Sequence, residues 1–269
     1  MAALNIAHRG ARSLAPENTI PAARKAVEIG ADMWEMDVAM TVDGEMVVIH
    51  DDTLERTSNA RAVFPARSPW RVADFSYAEL LELDFGSWFV QTDPFKQIAA
   101  GKVSAAEQAS FAGVRIPTLK EILLFTRDNN WRVNVELKDL SGTAGDAHGV
   151  EMAVGLIRDL GMIDQVLISS FNLTYLERTR AFEPRIRTAA LVEEHVPDPV
   201  ALLRRLQAQA FHPESGMIQA EMVEKVHQAG LLIQAWTVAD DEAALRRMLD
   251  LGVDGIFTDF PQLLKELQK

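Results

Sequence analysis

The sequence predicts an α/β fold, a (β/α)8 barrel that carries a small inserted subdomain. The chain has 269 residues, which suits one barrel of roughly 250 residues better than two full domains. Short apolar runs typical of strands alternate with helical patterns from end to end, as in βαβ units built around a parallel sheet. Eight such runs favour a closed barrel over an open sheet.

The predicted strands are bounded by polar or turn-forming residues, and the predicted helices carry apolar residues at three-to-four spacing. The strand candidates span residues 4–8, 33–38, 133–138, 166–171, 188–192, 210–212, 232–238 and 255–258. The helix candidates span residues 19–29, 119–127, 150–160, 199–207, 221–229 and 241–251. Gly30 and Gly230 end two of these helices, because glycine readily adopts the left-handed conformation of a helix C-cap.

Residues 51–115 break this rhythm, since they far exceed the usual connection between a strand and a helix. The segment contains Trp70, Trp88 and several phenylalanines, with a polar, alanine-rich stretch at 97–108. We expect a single domain over residues 1–269, in which 51–115 forms the inserted subdomain on one face of the barrel. The alanine-rich part is either a helix or a mobile lid.

Composition narrows the classes of function. Lys and Arg number 27 against 39 Asp and Glu, a formal net charge of −12, and they form no basic run. We therefore expect no nucleic-acid partner. The absence of cysteine excludes disulfides, thiolate nucleophiles and Cys-ligated zinc. The first residues lack a signal-peptide pattern, and no stretch reaches about 18 apolar residues. We expect a cytoplasmic protein without a stable membrane anchor; its oligomeric state is not predicted.

Acidic residues stand where a barrel holds its chemistry, at the C-terminal ends of the strands. Glu35 and Asp37 are two residues apart on the second strand, so their side chains point the same way. Glu136 on the next barrel strand is placed to join them. Three converging carboxylates suit one hard divalent ion, Mg²⁺ or Ca²⁺. A salt-bridge network with Arg9 or Lys138 is an equally open interpretation.

A hairpin is predicted to bring a histidine to these acids. Asp43-Gly44 favours a two-residue turn, in which Val42 faces Glu45. The same register places His50 opposite Asp37 on one face of the ribbon, with Cβ atoms about 5 Å apart. A bulge or a longer loop would move His50 away from this position.

Two histidines and two cations complete the candidate site. His8 ends the first strand, and with His50 it can supply a general base and a general acid near neutral pH. Arg9 can bind a phosphate through a bidentate fork, and Lys138 can do so as a point charge. Either cation can instead pair with one of the carboxylates.

Ordered motifs extend over the whole chain. The first part carries His8-Arg9-Gly10, Pro16-Glu17-Asn18-Thr19, Glu35-x-Asp37, Asp43-Gly44, Val48-Ile49-His50-Asp51, Leu54, Arg56 and Thr57. The rest carries Leu83-Asp84-x-Gly86-x-Trp88-Phe89, Ile116-Pro117-Thr118-Leu119, Val135-Glu136-Leu137-Lys138, Ser170-Phe171, Trp236-Thr237 and Gly252-Val253-Asp254-Gly255-Ile256-x-Thr258-Asp259-x-Pro261. This ordered set resembles the glycerophosphodiester phosphodiesterase family. Residues 91–114 depart from it, because they are longer than the family's usual link.

The resemblance implies a TIM barrel and metal-dependent hydrolysis of small glycerophosphodiesters to glycerol 3-phosphate and an alcohol. It implies that Glu35, Asp37 and Glu136 hold a divalent metal and that His8 and His50 form an acid/base pair. Arg9 and Lys138 would contact the phosphate, and Phe171 and Trp236 would line the alcohol pocket. Glu17, near the metal, and Asn18 would support the first loop. Ordinary rim packing is an alternative for the two aromatic residues. The nucleophile is water or a hydroxyl of the substrate's glycerol, and which histidine is the base stays open.

Three alternatives remain. The same chemistry can act on a sugar-phosphate diester or a lysophospholipid, although the acidic pI argues against lipid surfaces. A non-catalytic barrel that binds a phosphorylated polyol would lack one of the five candidate acids and histidines, and all five are present. An enolase-type barrel would need a Lys or His base at the ends of later strands, and no such pattern is found.

Overall fold

The computed structural model describes residues 3–238 and 241–269 and confirms the predicted (β/α)8 TIM barrel. The strands are β1 (Leu4–Ala7), β2 (Met33–Met40), β3 (Met46–Val48), β4 (Val133–Leu137), β5 (Val166–Ser170), β6 (Arg187–Val192), β7 (Ala210–Pro213), β8 (Leu232–Val238) and β9 (Gly255–Thr258). All except β3 are parallel, and the barrel closes because β1 pairs with both β2 and β9. The short strand β3 forms an antiparallel hairpin with β2.

Helices cover the outside of the barrel. They are α1 (Ile20–Ile29), α2 (Ala60–Val63), α3 (Tyr77–Leu80), α4 (Ser87–Thr92), α5 (Ala105–Ser110), α6 (Leu119–Asp128), α7 (Gly149–Asp159), α8 (Leu173–Phe182), α9 (Pro199–Leu206), α10 (Ala220–Gln228), α11 (Glu242–Leu251) and α12 (Pro261–Leu267). The sequence pattern did not predict α8 and α12; α8 is rich in charged residues that obscure its apolar face. Within the described ranges, none of the helices combines the length and hydrophobicity needed to span a bilayer.

Alternation along the strands separates the barrel interior from the outer core. On β2, Trp34 and Met36 pack into the core between strands and helices, whereas Glu35 lines a cavity inside the barrel mouth. Residues nearer the start of the strands, such as Ile6 and Leu167, fill the lower interior with apolar side chains. The interior is therefore apolar below and polar at the C-terminal mouth, as the period of two residues in a strand requires.

The β2–β3 hairpin has a different register from the predicted one. Val38 pairs with Val48, and three residues, 42–44, form the loop. The last loop residue is a glycine with φ of +86°, as in a type I turn followed by a left-handed residue. The prediction that His50 faces Asp37 across the ribbon is therefore wrong by one residue. The Asp-Gly signal fits both loop lengths, so the dipeptide alone cannot fix the register.

Residues 51–115 contain α2–α5 and pack two apolar clusters against the barrel. One cluster covers Val47 and Ile49 of the hairpin, and the other covers the first loop and α1. The alanine-rich stretch ends in α5, which an ion pair between Glu107 and Lys25 joins to α1. Gly86 allows this packing, because a Cβ there would lie 1.9 Å from the carbonyl oxygen of Phe111.

One histidine on β7, His212, is buried inside the protein. His212 is fully buried, its Nε2 lies 2.7 Å from Oε1 of Gln234, and its ring centroid is 5.0 Å from that of Phe257. Burial lowers the pKa of His212 to about 3, because the charged imidazole would lose its hydration. The ring is therefore neutral at pH 7.

We expect this histidine to make stability depend on pH. As the pH falls below 6.5, His212 binds a proton in the unfolded chain but stays neutral in the folded protein. The contribution of buried His212 to the free energy of unfolding is therefore complete above pH 6.5 and is lost as the pH approaches 3. Between pH 7 and pH 5, the free energy of unfolding should fall by about 2 kcal/mol more in the wild type than in His212→Gln. Urea unfolding at both pH values measures this difference, and equal losses would contradict the interpretation.

Candidate active site

The C-terminal mouth of the barrel contains a cavity of about 70 Å³. Most of the predicted site residues line it: His8, Arg9, Glu35, His50, Glu136, Phe171 and Trp236. Asp37 and Asn18 lie directly behind this wall, hydrogen-bonded to each other. Lys138 contacts the same acids but lines a neighbouring cavity with Asp52 and Asp139.

Three carboxylates converge at the mouth. Asp37 on β2 pairs in register with Glu136 on β4, and Glu35, Asp37 and Glu136 each offer an oxygen within 4.8 Å of the others. Glu35 Oε1 and Asp37 Oδ1 are buried without a hydrogen-bond partner. Buried carboxylate oxygens without donors are costly unless a cation binds them. Because all three ligands are hard oxygen donors, the cluster fits a divalent ion such as Mg²⁺ or Ca²⁺.

The titration of the acids reflects this concentration of negative charge. Burial and the charges of Asp37 and Glu136 raise the pKa of Glu35 well above its usual value. Burial and Asp37 likewise raise the pKa of Glu136. Burial alone would raise the pKa of Asp37, but Arg9, His50, Lys138 and the Asn18 hydrogen bond hold it below its usual value.

Two cations already partner the acids, so the salt-bridge interpretation is also realised in part. Lys138 Nζ lies 3.0 Å from Glu136 Oε1 and 3.9 Å from Asp37 Oδ1. Arg9 Nε lies 3.3 Å from Asp37 Oδ2. These contacts leave Glu35 Oε1 without a donor, so the two cations do not satisfy the whole cluster.

The loop after β1 turns sharply to bring its backbone to the acids. Arg9 adopts φ of +53° and Gly10 φ of +82°, and the amide of Arg9 donates to Glu35 Oε2 at 2.9 Å. A Cβ on Gly10 would lie 2.7 Å from Ala22 of α1. Glycine therefore lets the loop press against α1 while Arg9 faces the cavity.

Glu17 lies at the centre of three arginine side chains. Its buried carboxylate accepts hydrogen bonds from Arg9 at 2.9 Å, Arg12 at 2.6 Å and Arg56 at 2.7 Å. Burial alone would raise the pKa of Glu17, but the Arg56 hydrogen bonds and the charges of the three arginines hold it well below its usual value. Both of its oxygens are thus taken by arginines, and one of these, Arg9, also lies 3.3 Å from Asp37. Asn18 donates to Asp37 Oδ2 at 2.8 Å and so orients one of those acids.

His8 is held by an aspartate from the far end of the chain. Its Nδ1 lies 2.6 Å from Asp259 Oδ1, just beyond β9, and its Nε2 lies 4.0 Å from Glu35 Oε2. Burial, with Arg9 next in size, lowers the pKa of His8 to about 4. A carboxylate accepts and cannot donate, so the proton of the neutral ring sits on Nδ1 and the Nε2 lone pair faces the cavity.

His50 reaches the cavity from the other side by a similar contact. Its Nδ1 lies 2.7 Å from Asp51 Oδ1, and its side chain is 34% exposed. The residue lies two positions after the end of β3 and lines the cavity with Glu35 and Glu136. His50 therefore lines the cavity, although the hairpin register that was predicted to bring it there is wrong.

Two aromatic residues form the rim. The rings of Phe171 and Trp236 meet edge to face with centroids 5.3 Å apart. Trp236 Nε1 donates to the carbonyl oxygen of His212 at 2.8 Å, whereas Phe171 is 38% exposed. Trp236 is therefore fixed by the barrel, and Phe171 presents its ring to the opening.

The sequence analysis gave no role to the partners of the histidines. Asp259 stands at the C-terminal end of the last strand, and Asp51 is adjacent to His50, so their positions alone could have suggested a function. Arg12 carried no comparable signal. Arg56 belongs to the ordered motifs, but its contact with Glu17 depends on how the first loop and the inserted segment meet.

Comparison with known proteins agrees with this geometry. Residues 8–263 match the model of the glycerophosphoryl diester phosphodiesterase family. A glycerophosphodiester phosphodiesterase of Caldanaerobacter subterraneus subsp. tengcongensis is 35% identical over 267 residues, covering 99% of this chain and 98% of the relative.

Solved structures match as well, among them two phosphodiesterases. A phosphodiesterase of Oleispira antarctica, in complex with the product sn-glycerol-3-phosphate, superposes with a TM-score of 0.83 at 26% identity, covering 98% of this chain and 96% of that one. A glycerophosphodiester phosphodiesterase of Agrobacterium tumefaciens gives a TM-score of 0.77 at 28% identity, covering 99% and 100% of the two chains. The resemblance found in the motifs is confirmed, and the chain belongs to the glycerophosphoryl diester phosphodiesterase family.

Proposed function

We propose that this phosphodiesterase hydrolyses glycerophosphodiesters to glycerol 3-phosphate and an alcohol, with His8 and His50 as its acid/base pair. One observation carries the proposal: two histidines, each held through Nδ1 by an aspartate, line one cavity together with two acids of the carboxylate cluster. The relative that binds sn-glycerol-3-phosphate supports the choice of product. Metal dependence is part of the proposal, with Glu35, Asp37 and Glu136 as the ligands of one Mg²⁺ or Ca²⁺ ion.

The bound ion would supply Lewis acidity, drawing charge away from the phosphoryl oxygens as the bond to the alcohol breaks. The chain's own cations would hold the phosphate beside it. Arg9 is fixed at the cavity wall, because Glu17 accepts from its Nη1 at 2.9 Å. Lys138 adds a positive charge next to Glu136. The rim of Phe171 and Trp236 would cover the glycerol or the alcohol.

The proposed proton transfers follow from the anchoring of each ring. His8, neutral and with its Nε2 lone pair toward the cavity, takes the proton of the nucleophile as a bond to phosphorus forms. His50 gives a proton to the alcohol oxygen as its bond to phosphorus breaks. The nucleophile is water or a hydroxyl of the glycerol itself, and in the second case water opens the cyclic phosphodiester with the two roles exchanged.

Substitution of either histidine tests the acid/base pair. His8→Ala and His50→Ala should each lower kcat for a glycerophosphodiester by about 100-fold or more while the melting temperature stays close to that of the wild type. His227→Ala is a matched control, because exposed His227 also bonds an aspartate, Asp254 at 2.9 Å, but lies on α10. Near-normal turnover in His8→Ala or His50→Ala would refute the assignment.

Removal and return of the metal tests the carboxylate cluster. Metal-stripped protein should hydrolyse none of a panel of glycerophosphodiesters and sugar-phosphate diesters, and Mg²⁺, Mn²⁺ or Ca²⁺, restored separately, should show which ion returns turnover of the glycerophosphodiesters. The effective ion should also raise the melting temperature, since an ion at 100 times its Kd adds about 2.7 kcal/mol to stability. Turnover of no diester with any ion would overturn the proposed function.

The ligand role has its own variant. Glu35→Gln should abolish the metal-linked rise in melting temperature without lowering the melting temperature of the stripped protein, because it removes a buried charge that its neighbours repel. The exposed Glu82 provides the control Glu82→Gln, which should keep the full rise. A rise retained in Glu35→Gln would contradict metal binding at this cluster.

The aromatic rim is tested through substrate affinity. Phe171→Ala should raise KM for a glycerophosphodiester several-fold with a small change in kcat, because the ring is exposed at the mouth and has no group that transfers a proton. Phe182→Ala is matched in exposure, at 41%, and should leave KM unchanged. Equal KM values in the wild type and Phe171→Ala would assign the ring to rim packing alone.

A further inference from the structure

Two series of contacting side chains connect the histidines to one buried carboxylate, that of Glu17. The first starts at His50, whose Nδ1 lies 2.7 Å from Asp51 Oδ1. Arg56 Nε donates to Asp51 Oδ2 at 2.7 Å. The same guanidinium then donates to both oxygens of Glu17, at 2.7 Å and 2.9 Å.

The second series starts at His8 and has the same order of groups. His8 Nδ1 lies 2.6 Å from Asp259 Oδ1, and Arg12 Nη1 donates to that oxygen at 3.4 Å. Arg12 Nη2 donates to Glu17 Oε2 at 2.6 Å. Each histidine is thus followed by an aspartate, an arginine and finally Glu17, although the two aspartates are far apart in sequence.

We propose that Glu17 is a positioning residue shared by both histidines, fixing their ring tautomers through Arg12 and Arg56. An aspartate that accepts from Nδ1 keeps the proton there and leaves Nε2 for chemistry. Asp51 is in turn held by the fork of Arg56, at 2.7 Å and 2.9 Å. Asp259 has a single, longer contact with Arg12, at 3.4 Å. The side chain of Glu17, only 2% exposed, supplies the fixed negative charge that both arginines need.

The inserted segment takes part in this arrangement. The guanidinium of Arg56 lies 5.8 Å from the ring centroid of Trp88, and that of Arg12 lies 5.2 Å from the ring centroid of Phe95. Aromatic faces at this distance attract a guanidinium. Each linking arginine therefore has an aromatic contact from the segment 51–115, which gives this segment a positioning role toward the acid/base pair.

The tautomers can be measured without turnover. Metal-free protein labelled with ¹⁵N-histidine gives the tautomer of each ring by two-dimensional NMR, with signals assigned from His8→Ala and His50→Ala. In the wild type, at an alkaline pH that leaves both rings neutral, each ring should carry its proton on Nδ1. Arg56→Lys keeps the charge but loses the fork, so only His50 should become a mixture of tautomers. Arg12→Lys should affect only His8, and Glu17→Gln should affect both.

Turnover provides the second measurement, and this part rests on the proposed function. In Arg12→Lys and Arg56→Lys, kcat should fall about 10-fold to 100-fold, while KM changes little. The matched control is Arg61→Lys: Arg61 also lies on the inserted segment, 5.5 Å from the ring centroid of Trp70, and pairs with Glu55 instead of Glu17. This variant should retain wild-type kcat and both tautomers.

The outcomes separate the positioning role from the proposed function. Wild-type tautomers in Glu17→Gln, or the same effect of Arg12→Lys and Arg56→Lys on both rings, would overturn the positioning role. If Glu17→Gln does not fold, the two lysine variants alone decide the question. Tautomer changes as expected, together with normal turnover in His8→Ala and His50→Ala, would support positioning while refuting the acid/base pair.

Discussion

The meeting of three buried carboxylates at the barrel mouth is the constraint on which the rest of the site depends. The parallel register of β2 and β4 sets Asp37 beside Glu136, and the strand period of two residues adds Glu35 to the same face. Buried like charges repel strongly, so they persist only where cations and donors surround them. The first loop supplies the Arg9 amide and guanidinium and the Asn18 amide, and the chain after β4 supplies Lys138.

The barrel provides a rigid frame for these charges. Its lower interior is filled by apolar residues such as Ile6, Leu167 and Phe257, so the polar side chains at the mouth rest on a packed base. The same frame brings chain ends together: β1 pairs with β9, which sets His8 next to Asp259. The proposed acid/base pair thus depends on barrel closure as much as on the residues themselves.

The segment 51–115 packs on the barrel and contacts side chains that lead to the histidines. Its clusters pack on the hairpin and on α1, and its Trp88 and Phe95 contact two arginines that bind Glu17, namely Arg56 and Arg12. Because those arginines also contact Asp51 and Asp259, changes in the inserted segment can reach both histidines without touching the carboxylate cluster.

Local patterns in the chain predict the barrel, its eight parallel strands and the residues at their C-terminal ends, because strand period, helix spacing and the Glu35-x-Asp37 pair act over a few residues. Three features became visible in the folded chain alone: the hairpin register, the position of Glu17 among three arginines and the pairing of His8 with Asp259. The Asp-Gly turn tolerates two loop lengths, and an arginine's long side chain can reach several carboxylates. The pairing of His8 with Asp259 joins residues 251 positions apart, and barrel closure alone brings such residues together.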